Sequence, residues 1–419
     1  MEKSSRKINF PKLILGLLLI GLVIEFVRDM FGTGDFVGYV NAGNNVLQGT
    51  HIYSDYLNTW PPLFSVFSVP LALIDNLNGV VMRGIWLCGM LVCLFWIMKT
   101  SVALILEKKL LLPFQSANDE QSIPFHDLRI LIPFLLIFRF VLDNMANIQI
   151  NVFMLGMTVA ALNDHLKGKD GIGSFWLALS ISLKVFTLFM IPYFLVRKKF
   201  KLVAYTLGWI LLLNILPFMV FGIDTTLSYY QQFFKERAEP FAMILHKNQS
   251  IFALFRSLLM EESRGLDIYL NFMHLSVHQA KMVAYVVAGI LVTVVLLLLN
   301  KVKQPSTSSF LSESFLVMTA LPIFSPLAWK AYFIFLWPSC IWICHKLLNP
   351  NSNKSPYHKW HIAFMIFFVM TTTLTTEAIV GPYLSDVTEV FACITIGTIS
   401  LLMLHLMLHV QKFQPSKNE

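Results

Sequence analysis

The stretch SFWLALSISLKVFTLFMIPYFLV, residues 174–196, does most to set the fold class that this sequence predicts. It is apolar over enough length to cross a bilayer once, because a transmembrane helix needs about 20 residues. Lys184 stands near its middle, and a lone lysine at the centre of a span costs roughly 2.5–3.5 kcal/mol even on lenient insertion scales. A single uninterrupted span is therefore unfavourable here, and the chain is expected to break near Lys184.

The composition indicates that the surrounding chain also uses lipid as its solvent. Hydrophobic residues make up 56% of the 419 residues and charged residues 13%, whereas a soluble domain carries roughly 25% charged residues. These values exclude a disordered protein, a nucleic-acid-binding module and a secreted disulfide scaffold. The five cysteines all lie within apolar runs, so we interpret them as packing residues rather than redox or metal-binding groups.

Further apolar runs lie on both sides of this stretch, and most are long enough to cross the membrane as helices. The run PPLFSVFSVPLALI, residues 61–74, is different because it is short and contains three prolines, so a re-entrant or interfacial segment is expected. The predicted spans are residues 13–27, 80–98, 130–142, 148–162, 202–221, 282–299, 315–324, 332–343, 362–374 and 390–410.

Lysine and arginine residues indicate the orientation, because cytoplasmic loops are enriched in them. Residues 35–79 contain neither type, so they face outward when the N-terminus lies in the cytoplasm. The basic loops at Lys108, Lys167 and Arg197 all stay inside only under two conditions. The proline-rich run must not cross, and the stretch quoted first must return at Lys184 as two short helices.

Under these conditions the sequence predicts an all-α polytopic membrane protein with about 12 transmembrane helices and both termini in the cytoplasm. Two long segments, residues 28–79 and 222–280, face outward. We interpret the whole chain, residues 1–419, as one integral membrane domain. The inner membrane of a bacterial cell is the expected location, with the active site on its outer side.

The first outward segment contains GTGDFVGYVNAGNNVLQGTHIYSDYLNTWPPLF, in which Asp35 lies shortly after the first span. A partly desolvated carboxylate at the membrane rim can accept a proton from a substrate hydroxyl group. The alternative is that Asp35 caps the short helix that follows it and carries Tyr39. Asp55, in the same segment, is a second candidate carboxylate, for which a loop or capping role is expected.

Several amides and one cation are predicted at the same outer rim. Asn147 and Asn151 lie four residues apart on one helix face, with Gln149 between them. Interhelical hydrogen bonding explains these amides as well as substrate binding does. Lys184 requires an anion, and the partner is either a distant carboxylate or a bound phosphate.

Two later motifs add polar groups to the outer side. The run HKNQSIFALFR combines the amides of Asn248 and Gln249 with Arg256 on an otherwise apolar helix. The run SPLAWKAY places Lys330 at an outward turn, where snorkelling to the interface explains the charge about as well as ligand binding does. The sequence contains no HExxH, Walker, GxSxG or paired-cysteine motif. The predicted site is a carboxylate with several cations and amides, without a metal or another cofactor.

Five motifs in this order resemble glycosyltransferase family 87, whose members are polytopic enzymes of the GT-C type that use polyprenyl-phosphate sugars. The resemblance runs from about Asp35 to Tyr332 and implies a GT-C-type helical bundle. The motifs are DFVGYVNAGNNVLQGTHIY with WPPLF, NIQINVF, LKVF with PYFLVRKKF, NQSIFALFR and SPLAWKAY.

The resemblance implies that Asp35 is the general base. Family members often have a histidine shortly after the tryptophan of the SPxxW turn, whereas this sequence has Lys330, Ala331 and Tyr332 there. That difference leaves a histidine-assisted step and the sugar identity open. The residues expected to bind substrate are Tyr39, Asn147, Gln149, Asn248 and Gln249, and those expected to bind the donor phosphate are Lys184, Arg256 and Lys330.

The combined hypothesis is an inverting, metal-independent glycosyltransferase at the outer membrane face. It would move a mannose-like or arabinofuranose-like sugar from a polyprenyl-phosphate donor to a lipid or glycan acceptor, with membrane lipids but no nucleic acid as partners. One alternative is a secondary transporter that uses Asp35 and Lys184 as coupling groups. Another is a GT-C enzyme that acts on a lipid A-like or protein acceptor. The missing sequence repeat and the polar residues gathered at one rim argue against the transporter.

Overall fold

The computed structural model describes residues 9–54, 58–112, 115, 119–237, 245–300, 306–349 and 356–413. The described chain is almost entirely helical. Up to Phe221 the described residues form ten α-helices, which are α1 Phe10–Met30, α2 Phe36–Gln48, α3 Pro62–Phe67, α4 Val69–Leu106, α5 Leu128–Ala146, α6 Asn151–Leu166, α7 Asp170–Leu183, α8 Met190–Val196, α9 Phe200–Leu213 and α10 Ile215–Phe221.

The rest of the described chain is also mainly α-helical, with a few other elements among the helices. Two short strands, β1 Lys109–Leu110 and β2 Ser122–Ile123, pair in parallel within the connector between α4 and α5. Segments Val185–Phe189 and Lys330–Leu336 are 3-10 helices, and Phe233–Arg237 and Val369–Thr373 are π-helical turns. The later α-helices are α11 Ile223–Gln232, α12 Ile251–Leu259, α13 Val277–Asn300, α14 Thr307–Phe324, α15 Trp337–Leu347, α16 His358–Phe368, α17 Glu377–Val380, α18 Pro382–Val390 and α19 Cys393–Phe413.

Six helical segments of the described chain are long and apolar enough to cross a membrane. Their outer faces expose large apolar side chains, such as Leu17, Ile20 and Val23 on α1, which is the surface that lipid stabilises. The protein is therefore an all-α membrane protein, as predicted. The six segments are Phe10–Met30, Val69–Leu106, Phe200–Phe221, Val277–Leu299, Thr307–Phe324 and Cys393–Gln411.

The stretch around Lys184 turns back on itself, as the sequence predicts. Helices α7 and α9 run parallel, because Lys201 Nζ lies 3.7 Å from Asp170 Oδ2 at their first residues, and Asn214 Nδ2 donates to Ser182 Oγ at 3.1 Å at their other ends. The chain must therefore return between them. It breaks at Lys184, which has extended backbone angles, and returns through the 3-10 helix and α8.

The proline-rich run 61–74 forms α3 and the first part of α4. Pro62 occupies the first turn of α3, where its missing N–H group is no loss. Helix α4 is interrupted at Asn78, which has non-helical backbone angles of φ −160° and ψ 102°. An unbroken α4 would be roughly 57 Å long, well beyond a bilayer core of about 30 Å. The interruption separates the proline-rich part from the predicted span at residues 80–98.

A buried ion pair fastens α8 to α14 inside the bundle. Arg197 Nε and Arg197 Nη2 each lie 2.6 Å from a carboxylate oxygen of Glu313, whose side chain has no exposed surface. Tyr193 also donates to Glu313 at 3.2 Å. Nearby, His405 Nδ1 and Ser339 Oγ are 2.9 Å apart, which links α19 to α15. These groups are buried or nearly so, and by bonding to one another they hold the helices together.

Candidate active site

The candidate site forms where the turn after α1 meets the turn between α5 and α6. Asp35 N–H donates to the Asn147 carbonyl at 3.0 Å. Gly34 has a φ of +47°, and a Cβ atom there would lie 2.7 Å from the Asn147 carbonyl carbon. Only glycine fits this position without displacing the α5–α6 turn. Gly34 therefore serves close backbone packing rather than substrate access.

The Asp35 carboxylate does not cap a helix. Asp35 directly precedes α2, yet its side chain makes no capping hydrogen bond, and among the described residues it accepts a hydrogen bond from Gln149 Nε2. The capping alternative is therefore wrong for this carboxylate. Burial raises the pKa of the Asp35 carboxyl, and the charge of Lys184 and the Gln149 hydrogen bond oppose that increase only in part. Asp55, the other candidate carboxylate, lies outside the described residues.

A continuous chain of hydrogen bonds connects Asp35 to Lys184. Gln149 Oε1 accepts from Asn151 Nδ2 at 3.3 Å, and Asn151 Oδ1 accepts from Lys184 Nζ at 2.8 Å. Gln149 and Asn151 are both buried. Lys184 Nζ also lies 3.8 Å from the centre of the Tyr332 ring, a cation–π arrangement. The amides thus bond helices together and also reach the candidate base, while substrate binding by them stays a prediction.

The direction of the Gln149 side chain follows from how α5 ends. Gln149 N–H donates to the Asn144 carbonyl at 2.8 Å, and Ile148 N–H donates to the Met145 carbonyl at 2.9 Å. This pair of bonds is the Schellman motif, in which glycine usually occupies the left-handed position. Here Ile148 occupies it with a φ of +48°. A β-branched residue in this conformation is strained, and such strain concentrates at functional sites.

A cavity of about 750 Å³ lies beside Asp35, within the size range of small-molecule sites. Four predicted residues line it: Asp35, Asn147, Gln149 and Lys330. The aromatic rings of two tryptophans, Trp60 and Trp329, contribute to its wall. The charged lining residues are Glu25, Arg28, Asp35, Arg139, Asp143, Lys247, Lys330 and Glu377.

Lys330 is held between two carboxylates at the cavity wall. Its Nζ lies 3.0 Å from Glu389 Oε1 and 3.3 Å from Glu377 Oε1. Burial acts to lower the pKa of the Lys330 ammonium group, but the neighbouring carboxylates outweigh it and raise the pKa. Arg139 Nη2 also lies 3.7 Å from Glu389. Lys330 is therefore a charged group directed into the cavity rather than a side chain that snorkels to the interface.

Two predicted substrate residues, Asn248 and Gln249, hold the scaffold together instead of lining the cavity. Asn248 Oδ1 accepts from Ala328 N–H at 3.1 Å, and Gln249 N–H donates to the Ala328 carbonyl at 2.8 Å. Gln249 Nε2 also donates to the Glu389 carbonyl at 2.8 Å. Both side chains are buried. They fix the turn that carries Lys330.

Three further predicted residues also lie outside the cavity lining. Tyr39 is fully buried, and its hydroxyl oxygen accepts from Ile150 N–H at 3.1 Å, which fastens α2 to the α5–α6 turn. Lys184 reaches Asp35 only through the amide chain. Arg256 Nε lies 2.6 Å from Glu262 Oε2, so its charge is already paired.

Arg139 and Asp143 are cavity residues that the sequence analysis missed. Arg139 Nη1 donates to the Thr372 carbonyl and, at 2.8 Å, to Thr375 Oγ1, so it also anchors the π-helical turn. A usable signal was present, because a charged residue inside an apolar span is a functional candidate by default. Arg139 falls within the predicted span 130–142, and Asp143 follows it directly.

One cluster of possible metal ligands lies near the cavity, formed by His246, Asp386 and Glu389. Their ligand atoms lie within 4.8 Å of one another. Glu389 already faces Lys330 and Arg139, whose positive charges oppose a bound cation. We assign no metal to this cluster, and the metal-independent reaction stays a prediction.

Comparison with known families identifies the chain. The model of glycosyltransferase family 87 matches residues 58–344, which is more than half of the chain. A search of the curated proteins found no match. The matched range contains Asp143, Gln149, Lys184 and Lys330, whereas Asp35 precedes it. The chain belongs to glycosyltransferase family 87 and is a membrane glycosyltransferase.

Proposed function

We propose that the protein transfers a sugar, mannose-like or arabinofuranose-like, from a polyprenyl-phosphate donor to a lipid or glycan acceptor with inversion at the anomeric carbon. The observation that carries this proposal is the Asp35 carboxylate. It lines the cavity, caps no helix, and is held by the Gln149 amide. A positioned carboxylate with a raised pKa suits a general base better than an ordinary exposed aspartate does.

In the proposed reaction, Asp35 removes the proton from an acceptor hydroxyl group. The acceptor oxygen forms a bond to the anomeric carbon of the donor sugar while the bond from that carbon to the phosphate oxygen breaks. A single displacement of this kind inverts the anomeric configuration. The leaving polyprenyl phosphate is a stable anion, so no general acid is needed for its departure.

Positive charges on the cavity wall stabilise the phosphate as it leaves. Lys330, Arg139, Arg28 and Lys247 all line the cavity, and Lys330 and Arg139 are nearly buried. Charge-assisted hydrogen bonds are strongest where water is excluded. We therefore assign donor-phosphate binding first to Lys330 and Arg139, which line the cavity although each also faces Glu389. Phosphate contacts by Lys184 and Arg256 stay predictions.

The remaining predicted residues position the reacting groups. Lys184 acts through Asn151 to orient Gln149, which in turn orients Asp35. Tyr39 secures the α5–α6 turn from the other side. Asn147 lines the cavity next to Asp35 and is the predicted amide best placed for substrate contact.

We further propose a GT-C-type bundle of about 12 crossings with cytoplasmic termini and an outward cavity, as the distribution of basic residues indicates. The parallel course of α7 and α9 supports the return at Lys184 on which this number depends. In a bacterial inner membrane, the donor lipid would enter the cavity sideways between helices. The outer segments 28–79 and 222–280 supply part of its wall.

The deciding experiment incubates the purified protein in lipid nanodiscs with radiolabelled polyprenyl-phosphate mannose or polyprenyl-phosphate arabinofuranose and a panel of lipid and glycan acceptors. Sugar transfer with inverted configuration supports the proposal. If sugar is transferred only to a lipid A-like or protein acceptor, the proposed lipid or glycan acceptor is wrong and the alternative acceptor takes its place. Absence of transfer from both donors to every acceptor in the panel would contradict the proposed donor and acceptor classes.

A further inference from the structure

Besides Asp35, Glu25 and Glu377, the cavity wall carries a further carboxylate, Asp143, that the proposed reaction does not use. Asp143 lies in the last turn of α5 and lines the cavity. Its side chain makes no hydrogen bond or ion pair with any part of the chain that the structure describes. A carboxylate that opens onto a cavity can accept hydrogen bonds from whatever fills that cavity. The Asp143 oxygens are therefore available to a ligand.

Asp143 and Asp35 are joined through one residue. Asn147 Nδ2 donates to the Asp143 carbonyl at 3.0 Å, and the Asn147 carbonyl accepts from Asp35 N–H at 3.0 Å. All three residues line the same cavity. A ligand that contacts Asp143 would consequently lie beside the candidate base.

The charges around Asp143 restrict what this ligand can be. Lys330 and Arg139 act on it as positive neighbours, and Glu389 and Asp35 as negative ones. The two cations and two anions balance, so the surroundings of Asp143 do not favour a charged ligand. A neutral hydroxyl group can donate a hydrogen bond without adding charge, and one carboxylate can accept from two hydroxyls at once.

We propose that Asp143 binds two adjacent hydroxyl groups of a sugar ring and so selects and orients the sugar next to Asp35. This inference rests on the proposed glycosyl transfer. The sugar belongs either to the donor or to a glycan acceptor, since both carry neighbouring hydroxyl groups. Asp143 is then a specificity residue, and Asp35 remains the base.

The test compares Asp143→Asn with wild type in nanodiscs. Asparagine keeps the shape of the side chain but loses the charge and one acceptor oxygen. In the donor arm, binding of polyprenyl-phosphate mannose, polyprenyl-phosphate arabinofuranose and sugar-free polyprenyl phosphate is measured. In the acceptor arm, KM and kcat for the glycan acceptor are measured. Sugar-free polyprenyl phosphate is the matched control, because its binding also shows that the variant is folded.

Loss of hydrogen bonds to a charged group is expected to weaken sugar-dependent binding about tenfold or more. If the donor sugar is the ligand, Asp143→Asn weakens binding of a sugar-lipid and leaves that of polyprenyl phosphate unchanged. If the acceptor is the ligand, its KM rises about tenfold while kcat changes little. Equal weakening for polyprenyl phosphate, or no change in either arm, overturns the inference. So does a hundredfold fall in kcat with unchanged binding, because Asp143 would then be the base.

Failure of this inference can be separated from failure of the proposed function. If the wild-type protein transfers sugar and the Asp143→Asn variant has the same binding and kinetics, only the inference about Asp143 is contradicted. A wild-type protein that binds no sugar-lipid and transfers no sugar contradicts both.

Discussion

The Gln149 amide donates a hydrogen bond to the Asp35 carboxylate although the two residues are 114 positions apart in the chain. Gln149 is in turn held by Asn151, and Asn151 by Lys184. The candidate base is thus oriented by three residues, of which one lies in the α5–α6 turn, one at the start of α6 and one at the break after α7. Such preorganisation is how an active site fixes a proton acceptor before substrate arrives.

Replacing Asp35 by asparagine tests the base directly. Asparagine has nearly the same size but cannot accept a proton at neutral pH. Turnover should fall at least about a hundredfold, the usual scale for a general base, while donor binding is retained. Transfer of radiolabelled sugar and donor binding are measured on the same sample. Asp55→Asn is the control and should lose far less. Near-normal transfer by Asp35→Asn would move the base to Asp55 or Asp143.

The pH profile tests the hydrogen bond from Gln149. Asp35 acts as a base only when deprotonated, so activity falls as the pH drops through its pKa. The Gln149 bond lowers this pKa, and its loss in Gln149→Leu should raise it. The acidic limb of the kcat/KM profile should therefore move to higher pH. Asn76→Ala removes an exposed amide bonded to Asn44 and serves as the control. If the acidic limb does not move in Gln149→Leu, the pKa that it reports does not belong to Asp35.

Lys184 has two possible actions that variants can distinguish. As predicted from the sequence, Lys184→Ala should weaken binding of the polyprenyl-phosphate donor, and Lys184→Arg should retain much of it. The structure adds that the Lys184 charge lowers the Asp35 pKa, so Lys184→Ala should also shift the acidic limb to higher pH. Equilibrium donor binding and the pH profile are measured in parallel. If Lys184→Ala binds the donor normally and keeps the wild-type pH profile but has a lower melting temperature, Lys184 has only a structural role.

The ion pair between Arg197 and Glu313 should be essential for stability. Removing one member leaves a buried charge without its partner, which typically costs 3–5 kcal/mol. Glu313→Gln should therefore lower the melting temperature in detergent by many degrees. Lys201→Gln, which removes an exposed partner of Asp170, is expected to have little effect. Equal melting temperatures for the two variants would show that the Arg197–Glu313 ion pair is not essential for stability.

Cysteine labelling tests the orientation. In a background without the five native cysteines, a cysteine at Thr50 should react with an impermeant reagent from outside intact cells. A cysteine at Lys169 should react only after lysis. Both positions are exposed, so a lack of reaction reports the membrane side rather than burial. The reverse result, or outside labelling at both positions, would contradict the two conditions on which the predicted orientation rests, and first of all the condition that the proline-rich run 61–74 does not cross the membrane.

The sequence by itself determined the class of the protein and the break at Lys184. Hydrophobic residues in long runs can be stable only in lipid, and a lysine inside such a run is too costly for an unbroken span. Both conclusions depend on composition and on neighbours along the chain. For the same reason, the charged Arg139 within a predicted span is a signal that the sequence alone contains.

Only the tertiary structure decided which polar residues meet. The Asp35 carboxylate could cap α2 or face a cavity, and the backbone contact between Gly34 and Asn147 directs it toward Gln149. Lys330 could snorkel or bind a ligand, and the carboxylates of Glu377 and Glu389 hold it at the cavity wall. Asn248 and Arg256 resembled site residues, but local partners already satisfy them. Hydrogen bonds and ion pairs are short-ranged, so their partners depend on helix packing that no local pattern specifies.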